Sequence, residues 1–311
     1  MAQGTACSEL HSLVASTYDF KPSKLTEAQK KSKSAKMDKV WNLIESHSAQ
    51  MLPCLIAEME EPGADSWFLF DAGGLLANLD HSPRANRLIL RGCEIVDLDD
   101  VALEEWVLRL TSLALQDVDI STAAARWMRY PHASYVVPQH AFTVKRPEGA
   151  FFLYGSMDER FAAPALLKIA SDPVHPEREL ALSLLSQLAT PEADDAFRSI
   201  DLSSFPAQVQ SAAHAAIAQR PTFKPRNPPK STRQEILAVL QPAADHRDFR
   251  PFMELVEKVP DGERDFVAVM KVEDLPLIRR ARRAMAASGN PHLMEDYPYF
   301  TGIIWTLQNA H

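Results

Sequence analysis

The sequence predicts an all-α fold, an α-α superhelix with one short irregular insertion near residues 130–147, and three observations predict it. Between Glu159 and Ala218, apolar residues recur at helical spacing, break at a Pro-Val-His-Pro stretch, run again, and restart at Thr190-Pro191-Glu192. The second pass reproduces the first. Leu167 and Ala170 return about thirty residues on as Phe197 and Ile200, and Leu180, Leu184 and Leu188 return at an offset of 29 as Val209, Ala213 and Ile217. Finally, 10 glycines against 22 prolines suit helices punctuated by proline better than the glycine-rich turns of a β-protein. A two-helix unit recurring at this period buries its apolar face only against its neighbours. Leu167, Leu184 and Leu188 are therefore expected in the core.

Residues 1–25 read as a mixed polar segment that the aromatic pair Tyr18 and Phe20 pins to the body. Thr26 with Glu27 opens a helix with Met37, Val40, Trp41 and Ile44 on one face. Its basic start, Lys30, Lys31, Lys33 and Lys36, reads as a solvated face. Met51 to Glu60 continues as a short helix with Pro53 in its first turn. Trp67 to Asp71 followed by Leu75 to Pro83 is like Phe151 to Gly155 followed by Ala165 to Pro173, and the second halves match at an offset of 90. That reads as a degenerate copy of the unit, so the repeats begin before residue 70.

The next helix carries Leu103, Trp106, Val107, Leu110, Leu113 and Ala114 as one stripe. Asp99, Asp100, Glu104 and Glu105 at its start are explained by capping and by the helix dipole more simply than by an acid/base pair or a metal. Ser121 is expected to cap a helix carrying Ala124, Trp127 and Met128. Tyr130 to Arg146 then loses the 3.6-residue period and is rich in β-branched, aromatic and imidazole side chains. It predicts an extended insertion, with strand confined to about residues 135–155. Pro221 to Lys230 is a proline-rich loop. Helices follow from Ser231 or Thr232 through Leu240, and over 249–259, 265–272, 275–288 and 297–307. Three segments result, 1–130, 131–220 and 221–311, expected to form one continuous solenoid.

The tandem pattern of residues 159–218 resembles HEAT and armadillo-like repeats, clearly over about sixty residues and more weakly elsewhere. The resemblance implies a binding surface rather than a reaction. Enzymes of this architecture are also known, and the iron-dependent hydroxylases among them use repeated His-Glu dipeptides as ligands. This chain contains no His-Glu dipeptide; His175-Pro176-Glu177 is the nearest approach. The helical-repeat DNA glycosylases need a basic concave face, against the net charge of −8. That charge also argues against nucleic acid as the main partner, since such binding rests on phosphate neutralisation. The Arg279, Arg280, Arg282 and Arg283 cluster is expected to pair with carboxylates of this chain such as Glu254, Glu257 and Asp265. No glycine-rich phosphate loop and no Gly-x-Ser-x-Gly elbow is present.

No apolar run approaches the ~20 residues that span a bilayer. The opening Met1-Ala2-Gln3 reads as a start placed on a trimmed chain, and export is favoured over the cytoplasm. Three cysteines lack zinc-site spacing and allow one bridge with one thiol left over. In an exported chain a Cys7–Cys54 bridge ties the N-terminal segment to the first helices, while Cys93, among Leu88, Leu90 and Ile95, reads as a buried thiol.

The function expected is a non-enzymatic scaffold that presents its helical surface to a protein or peptide partner, without cofactor or metal. Irregular segments held on a rigid scaffold concentrate binding groups. Tyr130, His132, Tyr135, His140 and Phe142 combine aromatic area with polar tips, which makes them the candidate binding residues. The alternative is a small-molecule or metal-dependent enzyme or binder built around the same 130–147 insertion, with His132 and His140 at its centre.

Overall fold

The computed structural model describes residues 3–18, 25–80, 82–137, 142–188, 191–218, 231–258, 262–286, 300, 303–304 and 307. It is all-α, 78% helix and 3% strand, with sixteen α-helices among the described residues. The chain divides into two compact units, Met1–Leu113 with Ser134–Thr143, and Ala114–Ala133 with Val144–His311.

The first unit begins with a helix where a polar segment was expected. α1 (Gln3–Thr17) places Cys7, Leu10 and Val14 on one stripe that Tyr18, directly after it, continues, and Leu10 and Tyr18 are buried. Tyr18 packs edge-on against Phe68, ring centroids 5.3 Å apart, and donates a 3.2 Å hydrogen bond to Asp71 Oδ2. Phe20 lies outside the described residues. α2 (Glu27–Ser46) starts at a capping box. The Gln29 amide donates to Thr26 Oγ1 and the Thr26 amide donates back to Gln29 Oε1. Val40 and Ile44 are buried and Trp41 is half-buried, while Lys31 and Lys36 are exposed; the side chains of Lys30 and Lys33 lie outside the described residues.

α3 (Ser48–Glu60) starts three residues earlier than expected, so Pro53 sits inside it rather than in its first turn. Cys54 on α3 is joined to Cys7 as a disulfide, Cα atoms 5.2 Å apart, and α1 packs on α3 and α2. Cys93 is buried and outside the bridge. α4 (Ser66–Leu79) and α5 (Pro83–Ile95) pack closely because Gly92 brings α5 against the Leu69 carbonyl, where a Cβ would stand 2.6 Å from the oxygen. Of the expected early repeat, 67–71 and the first part of 75–83 fall within this single helix α4, and Pro83 opens α5. α6 (Leu103–Leu115) buries Trp106, whose Nε1 donates to the Cys93 carbonyl at 2.9 Å. Arg109 on α6 is buried too. Its guanidinium lies 4.0 Å over the Phe70 ring, donates to the Phe70 carbonyl and pairs with Glu105.

In the second unit, α7 (Ser121–Arg129) takes Ile120 as its N-cap residue, and Asp119 Oδ1 accepts from the Ser121 amide. Ser121 therefore opens the helix without capping it. α8 (Arg146–Ser156) replaces the extended chain expected up to residue 155. Pro147 near its first position and Glu148 in its first turn fit a helix start, and the Phe151–Gly155 run continues it. Among the described residues the strands are β1 (Ser134–Val137) and β2 (Phe142–Lys145), which pair with each other. α9 (Glu159–Ser171), α10 (Arg178–Gln187), α11 (Pro191–Ser199) and α12 (Ala207–Ala218) form two successive helix pairs. α9 packs on α10 and α11, and α10 packs on α12. Ala170, Leu184, Leu188, Phe197, Ile200 and Ala213 are buried, whereas Leu167 is half-buried at the flank of α9 rather than in the core.

Pro221 to Lys230 lies outside the described residues. α13 (Arg233–His246) starts at a Thr232–Glu235 capping box. With α14 (Arg250–Lys258), α15 (Gly262–Val269) and α16 (Leu275–Ala286) it encloses a core of its own around Leu240, Phe252, Phe266 and Ile278, which Phe300 and Ile304 join. Arg279 and Arg282 on α16 are almost fully buried. The arginine cluster pairs within the chain; the side chains of Glu257 and Asp265 lie outside the described residues. Arg283 reaches Asp117 at 2.6 Å, Arg280 reaches Asp245 at 3.6 Å, and Arg279 lies 4.0 Å from Asp158 and donates to the Met157 carbonyl.

Candidate functional site

The insertion residues fall in different places. Tyr130 ends α7, half-buried, and meets His132 edge-to-face with centroids 5.8 Å apart, while His132 itself is exposed. Both belong to the second unit, whereas Tyr135, on β1, belongs to the first. Burial, followed by the Glu104 carboxylate, holds the Tyr135 phenol above its ordinary value. His140 lies outside the described residues; Phe142 is a residue of β2, and its side chain lies outside them as well. Of the five, the structure brings together Tyr130 and His132. Among the described residues, no three His, Cys, Asp or Glu side chains converge as a group able to hold a metal ion.

Tyr154, a neighbour of these residues in sequence, is fully buried on α8 and its hydroxyl has no hydrogen-bond partner among the described residues. Burial pushes its phenol well up, with Arg129 opposing and Asp119 adding to the shift. Such a group stays neutral and packs as an aromatic wall.

A second feature comes from the repeated helices. A groove of about 450 Å³ runs between α10 and α12, lined by Glu179, Leu180 and Ser183 on one side and Gln208, Val209, Ala212 and Ala213 on the other. Leu180 and Val209, which correspond at an offset of 29 in the two passes of the pattern, line its opposite sides, half-buried. Leu184 and Ala213, the next corresponding pair, are buried. One stripe of the repeat thus serves two purposes: its inner members hold the helices together and its outer members stay accessible. The polar rim, Glu179, Ser183 and Gln208, was not singled out from the sequence. The signal was present, since Glu179 and Ser183 flank Leu180 at helical spacing and Gln208 precedes Val209.

Comparison with protein-family models, curated proteins and solved structures returns no match to this chain.

Proposed function

We propose that the chain is a helical-repeat scaffold of the HEAT/armadillo kind that binds a protein or peptide segment in the α10–α12 groove. The observation that carries this reading is the position of Leu180 and Val209, an apolar pair on facing helices with a polar rim around it. An extended or helical peptide would set apolar side chains against Leu180, Val209 and Ala212, and Glu179 and Gln208 would fix its register by hydrogen bonds. Apolar anchors within a polar rim are the usual anatomy of such interfaces. Tyr130 and His132 offer a second, smaller patch of aromatic and imidazole surface in the same unit.

The test uses Ala212→Arg, which puts a long charged side chain at an exposed helical position of the groove. A protein enriched by wild type from an extract, identified, purified and titrated, should lose affinity about tenfold or more for the variant, at unchanged melting temperature. Equal affinity for both proteins would remove the groove as the docking site.

A further inference from the structure

The two walls of the α10–α12 groove differ in charge. α12 carries no Asp, Glu, Lys or Arg along its length, and its one imidazole, His214, is turned to the Phe197 ring with centroids 6.0 Å apart. The α10 wall carries Glu179, the one charged residue among the described residues that line the groove. We propose that the groove selects a cationic amphipathic peptide segment, which sets apolar side chains on Leu180, Val209 and Ala212 and a lysine or arginine on Glu179. This preference rests on the docking reading given above.

Glu179 is available for such a segment because the bases around it are engaged elsewhere. Arg178, next to it in the chain, lies 3.9 Å over the Phe205 ring and donates from Nη2 to Ser204 Oγ at 2.7 Å. Arg146 pairs with Glu177 at 3.3 Å, and Arg198 pairs with Asp195 on its own helix. The Glu179 side chain is exposed, and its carboxylate makes no ion pair or hydrogen bond among the described residues. Glu179 and Ser183, one helical turn apart, form the polar edge beside Leu180. A cationic segment gains an attraction at this edge that a neutral one lacks, and an acidic one meets repulsion. The net charge of −8 adds a weaker preference of the same sign over the whole surface.

Two fluorescein-labelled peptides separate the local effect from the global one. One has leucines at helical spacing with lysines between them, and the other has glutamate in place of each lysine. Fluorescence anisotropy should give the lysine peptide about tenfold the affinity of the glutamate peptide. Glu179→Lys should abolish or reverse that preference. Glu192→Lys makes the same change of net charge at an exposed position of α11 outside the groove, and should leave most of it. Ala212→Arg should weaken both peptides, and all three variants should keep the wild-type melting temperature. A lysine preference that Glu179→Lys leaves intact, or that both lysine variants lower equally, would overturn the proposal. So would a lysine peptide that does not bind, or self-association of the protein that Ala212→Arg abolishes, which would give the groove to a second copy of this chain. If both peptides bind alike and Ala212→Arg weakens both, the groove remains the docking site and its charge preference falls. If Ala212→Arg leaves both affinities unchanged, the docking reading itself falls.

Discussion

Gly149 on α8 faces the indole of Trp127 on α7 with no room for a methyl group between them; a Cβ at Gly149 would overlap the ring. The contact is fixed from the other side as well, because Trp127 Nε1 donates to the Arg146 carbonyl at 2.9 Å, at the first residue of the same helix. Gly149→Ala forces either the helix or the indole to move. Overpacking of this kind costs about 1–3 kcal/mol. Chemical denaturation should register the loss, and a variant as stable as wild type would mean that α7 and α8 are less closely held than the structure has them.

Within the repeats, Leu184 and Leu167 make a matched pair. Leu184 is almost fully buried on α10 and Leu167 is half-buried on α9. Leu184→Ala should cost about 2–5 kcal/mol, and Leu167→Ala distinctly less. Equal costs, measured as unfolding free energies, would contradict the packing described.

The disulfide fixes a thiol count. Under denaturing, non-reducing conditions one thiol, that of Cys93, should titrate, and three would overturn the Cys7–Cys54 bridge. Replacing both bridged cysteines by Ser should cost about 2–4 kcal/mol in the chain-entropy account.

Asp158 gives a pH dependence. Burial opposes its ionisation, and hydrogen bonds from Arg160 together with the charges of Arg279 and Arg160 outweigh burial, holding its carboxyl below the ordinary value. Its stabilising contribution is present above the unfolded value of about 3.9, and is lost as pH falls through the lower folded value. Asp158→Asn keeps an acceptor for the Arg160 amide but loses the charge opposite Arg279. It should be destabilised by about 1.5–3 kcal/mol near neutrality, with the gap from wild type closing in strong acid. A gap constant with pH would mean that the charge does not contribute.

His132 is exposed and touches Tyr130 through ring edges. His132→Ala should move stability by less than about 0.5 kcal/mol. A larger loss in thermal denaturation would give the imidazole a structural role instead of a surface one.

The parts of the fold that were legible in the sequence are those where apolar spacing is dense. The α9–α12 segment announces itself because Leu180, Leu184 and Leu188 repeat as Val209, Ala213 and Ile217, and all of these lie on α10, on α12 or directly after α10. α1 was hidden because its stripe is one residue wide: Cys7, Leu10, Val14 and Tyr18 stand among Ser, His and Glu, and burial against other helices supplies what local pattern does not. α8 was misread because Phe151, Phe152 and Tyr154 favour strands as isolated residues, while Pro147 and Glu148 set a helix start ahead of them. The partners of the α16 arginines were illegible for a different reason. Asp117 and Asp158 lie 166 and 121 residues away from Arg283 and Arg279, and no local pattern records such distances. The α10–α12 groove was half legible: its apolar members were in the repeat, and its polar rim had no reason to stand out until two helices were set side by side.

The Cys7–Cys54 bond closes a covalent ring that contains the whole of α2. A single cut in the backbone anywhere between residues 8 and 53 therefore separates no material: the piece carrying α1 stays attached through sulfur and leaves only when the bond is reduced. The lysine-rich start of α2, which offers a trypsin-like protease four lysines within residues 30–36, lies inside that ring. A nick there would be silent on a non-reducing gel and would appear as two bands once a thiol is added.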